Sequence, residues 1–161
     1  MKQISEIITT DHIVLDLDVT DKFDAISALI KTLGNSDDVI DQIKFTEDII
    51  QREKDFPTGL ENGTALPHAR TTAVTDLIMA FGRCRQGVDF GSPDSKSANL
   101  IFLFGVPRDE VKNYLKTIAQ LSRMLQQERF RTGLMRAKSA KEVISEISNS
   151  ERRLNNPLGK K

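Results

Sequence analysis

Cysteine is almost absent: the 161 residues include one, Cys84. A single thiol excludes an intramolecular disulfide and any CxxC metal site, and it fits a reducing compartment. Histidine occurs twice, His12 and His68, and tyrosine once, Tyr114. Neither sign of charge is in excess, since 23 basic residues balance 23 acidic ones. That balance argues against a nucleic-acid binder or a protein that adheres to anionic membranes. No run of about 18 apolar residues occurs, so no segment is expected to span a membrane. The N-terminus, MKQISEIITTDH, has no apolar stretch of the secretory type. A cytoplasmic location is the expectation. No G-x-G-x-x-G follows a strand-like run, which excludes a plain dinucleotide-binding fold. There is no internal repeat, and no linker long enough to set off a second domain. What remains is 39% apolar and 29% charged, the composition of one globular domain.

Periodicity gives the elements. Ile4, Ile7 and Ile8 have the spacing of a short amphipathic helix. Over 13–19, Ile13, Leu15, Leu17 and Val19 alternate with Val14, Asp16 and Asp18, as in a half-buried strand. His12 begins that run and reads as a surface or capping residue. Thr20 or Asp21 caps a helix whose face is Phe23, Ile26, Leu29, Ile30 and Leu33, and Gly34-Asn35 stops it. Ser36-Asp37-Asp38 opens a second helix with Val39, Ile40, Ile43, Thr46, Ile49 and Ile50 at helical spacing. Residues 77–82 read as a strand with Cys84 just beyond it, and 87–91 as a turn. Residues 99–106, NLIFLFGV, are almost continuously apolar, which predicts a central strand covered on both faces. Pro107-Arg108-Asp109 leads into the longest helix, with Val111, Leu115, Ile118, Leu121 (or Ser122) and Leu125 inward. A short helix around Phe130, Leu134 and Met135 follows. Ser139 and Glu142 form a capping box for a last helix with Val143, Ile144 and Ile147 inward. Residues 1–147 read as the domain and 148–161 as a tail without a core face. Helices on both faces of a sheet make an α/β, three-layer sandwich.

One stretch carries chemistry: 52–69, REKDFPTGLENGTALPHA. Pro67 fixes its own φ and pushes Leu66 towards an extended conformation. His68 therefore leaves the strand-like Thr64-Ala65-Leu66 in a preset direction. Upstream, 58–63 contains two glycines and an asparagine, which tolerate positive φ. Arg52 and Glu53 close the second helix. An arginine there also suits the helix dipole. An imidazole at a strand end, a guanidinium able to approach it and a flexible turn suit the holding of a phosphoryl group on a histidine nitrogen. The plain alternative is a loop histidine beside a hairpin.

Arg52, Glu53, Thr58, Gly59, Leu60, Gly63, Ala65, Leu66, Pro67 and His68 fit R-E-x4-T-G-[LIV]-x2-G-x-A-[LIV]-P-H. That pattern resembles the signature of type-2 IIA domains of the phosphotransferase system, the fructose, mannitol and nitrogen-regulatory branch. The resemblance in element order covers roughly residues 1–147. It implies a mixed central sheet of about five strands, His68 as the phospho-accepting residue, and Arg52 as its phosphate partner. It implies phosphate received from the carrier protein HPr and passed to a cysteine of a IIB protein, or kept as a regulatory mark on a target-binding surface.

The implied chemistry needs a neutral imidazole with its second nitrogen hydrogen-bonded, which fixes the tautomer. It needs an exposed approach for the donor, and charge stabilisation that Arg52 is expected to give bidentately. Backbone N–H groups of the turn, including Thr58, Gly59 and Gly63, are expected to face phosphate oxygens. The resemblance places the attack at Nε2 and calls for no metal or cofactor. Glu53 either orients Arg52 or is solvated. Arg70 reads as a solvated loop arginine rather than a second phosphate donor, and Cys84 as structural. Sugar-transporting members carry a second histidine at the start of the long helix, and Tyr114 matches that position here. Tyr114 either donates its hydroxyl to the phosphate or only packs. Three functions remain: a IIA phosphocarrier, a regulatory IIA of the nitrogen-related branch, and an interaction module without transfer.

Overall fold

A computed structural model describes residues 2–156. The elements run α1 (Ile4–Ile7), a 3-10 turn (Thr10–His12), β1 (Ile13–Val14), α2 (Lys22–Leu33), α3 (Gln42–Asp55), β2 (Thr64–Ala65), β3 (His68–Thr71), β4 (Ile78–Val88), β5 (Ala98–Pro107), α4 (Val111–Leu125), α5 (Glu128–Arg136) and α6 (Ala140–Asn155). Three of the helices, α2, α3 and α6, begin where a side chain supplies a cap. Asp21 accepts from the Phe23 N–H, Asp41 from Lys44, and Ser139 from Glu142, each satisfying an N–H that the first turn leaves free.

The sheet has five strands in the order β1-β4-β5-β2, with β3 also on β5 beyond β2. β4 and β5 pair antiparallel, whereas β1 on β4, and β2 and β3 on β5, are parallel. β5 is thus central, as its unbroken apolar run predicts. Its alternate side chains split between two cores. Ile101 and Leu103 meet Ile26, Leu29, Ile30, Phe45 and Ile49 of α2 and α3. Leu100, Phe102, Phe104 and Val106 meet the layer of α1, α4, α5 and α6. The result is a three-layer α/β sandwich.

Several elements differ from the sequence expectation. The strand at 13–19 stops at Val14, because Leu15 gives its carbonyl to the Arg83 Nε–H (3.1 Å). Ile13 and Leu15 then pack on the second core, while Val14, Leu17 and Val19 pack on the first. α3 starts at Gln42, since Val39 bridges Val74 and the Ile40 N–H donates to the Ala73 carbonyl. Its core anchors are Phe45 and Ile49, and Ile40 and Ile43 are exposed. β4 runs on through Cys84, which is buried inside the strand. In α4, Leu115 faces outward, while Thr117 and Gln120 are buried.

The tail reading is also corrected. α6, at 16 residues the longest helix, continues through residues 148–155, with Ser150 and Glu151 buried and Leu154 on the second core. The Glu151 carboxylate accepts from the N–H groups of Ile4 (2.7 Å) and Ser5 (3.0 Å), so it serves the start of α1. Residues 157–161 lie outside the described residues.

Candidate functional site

β2 and β3 lie on the same neighbour, β5, with Ala65 opposite Ile101 and His68 opposite Phe104. Pro67 sits between them and has no N–H to give to a ladder. Its carbonyl still accepts from the Phe104 N–H at 3.0 Å, so the chain stays on the sheet across the break. The Leu66 carbonyl meets the His68 ring, Nδ1 to oxygen 2.7 Å. A carbonyl only accepts, so the ring proton is on Nδ1 and the lone pair on Nε2. His68 is half-buried, at the rim of the α3 end. Burial pushes its pKa below the usual 6.5, the Leu66 hydrogen bond and the Glu53 charge pull it up, and the Arg52 charge adds to the lowering. The ring is therefore neutral at neutral pH, with its lone pair on Nε2.

Arg52 occupies the last turn of α3, where a cation suits the helix dipole. Its Nη1 donates to the Phe56 carbonyl (2.9 Å), and its guanidinium lies 5.5 Å from the centre of the Phe56 ring. Phe56 itself is 68% exposed. Among the described residues no carboxylate pairs with Arg52. A cation that disfavours imidazolium at His68 favours a phosphoryl group there for the same electrostatic reason.

Glu53 neither orients Arg52 nor meets solvent, which corrects both expectations. Adjacent helical residues point about 100° apart, and Glu53 takes the inward direction. It is 1% exposed and accepts from the Thr58 N–H (2.9 Å), the Thr58 hydroxyl and Lys22 Nζ (3.3 Å). Lys22, the first residue of α2, carries no signal in the sequence that would link it to this place.

The 58–63 turn differs from a phosphate cradle. Thr58 spends both donors on Glu53. The Gly59 N–H goes to the Phe90 carbonyl (3.2 Å), that of Leu60 to Thr64 (2.8 Å), and that of Asn62 to the Asp94 carboxylate (2.9 Å). Gly59 is needed for close approach: a Cβ there would sit 2.7 Å from the Phe90 carbonyl oxygen and against the Ser92 hydroxyl. Gly63 turns the chain at φ 75° and gives its carbonyl to the N–H groups of Asn99 and Leu100. Thr58, Gly59 and Gly63 brace the loop from within.

Tyr114, half-buried on α4, places its ring 6.3 Å from the His68 ring centre at a 41° tilt. Arg70 is exposed on β3 and donates to the Arg108 carbonyl (2.9 Å). The Cys84 thiol faces the Val19 carbonyl, away from solvent. His12 ends the 3-10 turn before β1, on the far side of β4 and β5 from His68. Among the described residues no cluster of three or more His, Cys, Asp or Glu side chains forms a metal site, and no helix is long and apolar enough to cross a membrane.

Comparisons with known proteins bear on this arrangement. A family model described as "Phosphoenolpyruvate-dependent sugar phosphotransferase system, EIIA 2" matches residues 6–150. The "PTS system fructose-specific EIIABC component" of Bacillus subtilis is 30% identical over 93% of this chain, which spans only 24% of that protein's length. The "PTS system fructose-specific EIIA component" of Haloferax volcanii is 32% identical over 89% of this chain and 96% of its own. The crystal structure of the nitrogen regulatory protein IIA-Ntr from Neisseria meningitidis aligns with a TM-score of 0.83 at 33% identity, over 89% of this chain and 98% of that one. The matched span takes in every strand of the sheet, α3 with Arg52, and the His68 rim: the chain belongs to the EIIA 2 family of the phosphoenolpyruvate-dependent sugar phosphotransferase system.

Proposed function

We propose that this chain is a IIA phosphocarrier that takes a phosphoryl group from an HPr-type protein on Nε2 of His68 and hands it to a IIB protein. The observation that carries this reading is the His68 ring, whose Nδ1–H is held by the Leu66 carbonyl at 2.7 Å beside an Arg52 that no carboxylate claims among the described residues. In the transfer, the Nε2 lone pair forms the new P–N bond while the donor's P–N bond breaks and its pair returns to the donor nitrogen. This chain neither takes nor gives a proton, since Nδ1–H stays on Leu66 throughout. The phosphoryl group passes in line through a loose, metaphosphate-like state, and Arg52 meets its charge with a planar fork. Among the described residues Arg52 spends only an Nη1 donor, on the Phe56 carbonyl, and keeps its other N–H groups for the phosphoryl oxygens. The exposed Phe56 (68%), whose ring lies 5.5 Å from the Arg52 guanidinium, offers the partner an apolar landing on one side of the site, and Tyr114 lines the other.

A regulatory role is the second reading. It is favoured by Tyr114, which stands beside His68 where the resemblance places a second histidine in sugar-transporting members, and by the likeness to a nitrogen regulatory protein. Incubation with phosphoenolpyruvate, enzyme I and HPr is expected to load one acid-labile phosphate. Addition of a fructose-type IIB protein drains that phosphate if the chain is a carrier. Phosphate retained in the presence of IIB, with target binding that depends on phosphorylation, marks the regulatory role. Absence of loading marks a domain that keeps the fold without transfer.

A further inference from the structure

A line of hydrogen bonds leads from the His68 ring into the interior. Nδ1–H donates to the Leu66 carbonyl at 2.7 Å, and the Leu66 N–H donates to the Thr58 carbonyl at 3.1 Å. Thr58 in turn gives its N–H and its hydroxyl to the Glu53 carboxylate, which also accepts from Lys22 Nζ at 3.3 Å. Each residue on the line is held from both ends. Leu66 has its N–H on Thr58 and its carbonyl on His68, and the following Pro67 removes the freedom that a ladder bond would otherwise take up. Thr58 has its donors on Glu53 and its carbonyl on Leu66.

The ladder alone does not hold this segment. β2 has two residues, so Leu66 lies outside it and takes its orientation from Thr58. The anchor lies deep: Glu53 is 1% exposed, and the Lys22 side chain is 19% exposed. A buried ion pair is weak support for stability, because desolvation offsets its Coulomb gain. Its use here is directional. Glu53 has donors on both carboxylate oxygens, two from Thr58 and one from Lys22, and so fixes Thr58 in place.

We propose that Glu53, with Lys22 and Thr58, positions His68: the three hold the Leu66 carbonyl so that the imidazole proton stays on Nδ1 and the lone pair on Nε2. The proposal rests on the reading of His68 as the phosphoryl acceptor. Glu53 and Thr58 therefore act without touching phosphate, through the main chain, and Lys22 joins them from another helix. Glu53 also acts through space, since its negative charge opposes that of Arg52 at the ring and favours the protonated imidazole.

The test is imidazole ¹⁵N NMR of the full chain across pH, together with phosphoryl transfer from phospho-HPr, for wild type, Glu53→Gln, Thr58→Val and Thr58→Ser. Glu53→Gln is isosteric and keeps an acceptor for the Thr58 N–H, so it preserves the fold. Wild type is expected to show one tautomer, with hydrogen on Nδ1. Thr58→Val and Glu53→Gln are expected to show mixed tautomers and to lower kcat by roughly tenfold or more at unchanged KM, the size of effect found when an outer partner of a metal-bound histidine is lost. Thr58→Ser is expected to restore both. Glu53→Gln should also lower the His68 titration midpoint, which a purely structural role would not do. Folded Glu53→Gln and Thr58→Val proteins with the wild-type tautomer would overturn the proposal, whatever their midpoints. A wild-type chain that accepts no phosphate, yet whose tautomer responds to Glu53→Gln, would overturn the carrier function and support the positioning role.

Discussion

The two histidines of this chain stand in contrasting surroundings. His68 has Nδ1 on a carbonyl, a group that can only accept, so one tautomer is imposed. His12 has Nδ1 3.2 Å from the Thr9 hydroxyl, a group that donates or accepts by rotating, so neither tautomer is imposed. His68 lies near an arginine without a carboxylate partner among the described residues, at the rim of a loop braced from inside. His12 lies in a three-residue 3-10 turn at the opposite end of the strand order. Both rings are half-buried, yet one has its tautomer imposed and the other does not. What differs is the partner on the second nitrogen and the charge nearby.

The sharpest way to break this contrast is to remove each ring in turn. His68→Ala is expected to abolish phosphorylation by the HPr system, and His12→Ala to leave it at the wild-type level, with gel or mass detection of acid-labile phosphate as the measurement. Labelling that survives in His68→Ala would erase the distinction. Removing the charge comes next. Arg52→Ala should slow transfer by roughly 10²-fold, about 3 kcal/mol, the loss typical of one preorganised donor in a transition state. Arg52→Lys should recover only part, because a point charge lacks the fork. Rapid-quench rates at saturating donor would show it, and wild-type rates in both variants would reduce Arg52 to a helix-end residue.

pH sharpens the comparison further. The folded His68 pKa lies below 6.5, chiefly through burial. Well above 6.5 both folded and unfolded chains carry a neutral ring, so His68 makes no pH-dependent contribution to stability there. As pH falls from there towards the folded value, the unfolded chain takes up a proton that the folded chain refuses, and stability is lost. Phosphate acceptance, which needs the neutral ring, should decline with a midpoint below 6.5. A midpoint above 6.5 would contradict the buried setting. The smallest effect is expected at Tyr114. Tyr114→Phe should cost about 1 kcal/mol in transfer if the hydroxyl makes one hydrogen bond to the loaded phosphate. Tyr114→His should add an ionisation to the rate profile that wild type lacks. Superimposable profiles for all three proteins would make Tyr114 a packing residue only.

Local pattern in the sequence was enough for α2, with its Asp21 cap, and for β5 as the doubly covered strand. For Tyr114 local pattern gave nothing: only the resemblance pointed to its place near His68, where the ring centres lie 6.3 Å apart. Most of the failures trace to a polar side chain reaching a group that local pattern had assigned elsewhere. Arg83 claims the Leu15 carbonyl from across the sheet and ends β1 early. Glu151 caps α1 from the far end of the chain, which makes the expected tail part of the core. Lys22 and Thr58 claim Glu53, so a residue expected to orient Arg52 or to meet solvent is buried on those two partners instead. α3 shows the complementary error. Its periodic set included Ile40 and Ile43, yet the Asp41 cap shifted the helix start and Phe45 took the inward place. Periodicity reports which faces are apolar, and it cannot report which charged group will reach across the fold.

Where the phosphate sits tests the account most directly. The ³¹P and ¹⁵N NMR spectra of the chain after loading with phosphoenolpyruvate, enzyme I and HPr would locate it by the nitrogen to which phosphorus couples. The account predicts one phosphate on Nε2 of His68, with Nδ1 still protonated and bonded to the Leu66 carbonyl. A phosphate on Nδ1 of His68, or on either nitrogen of His12, would contradict it.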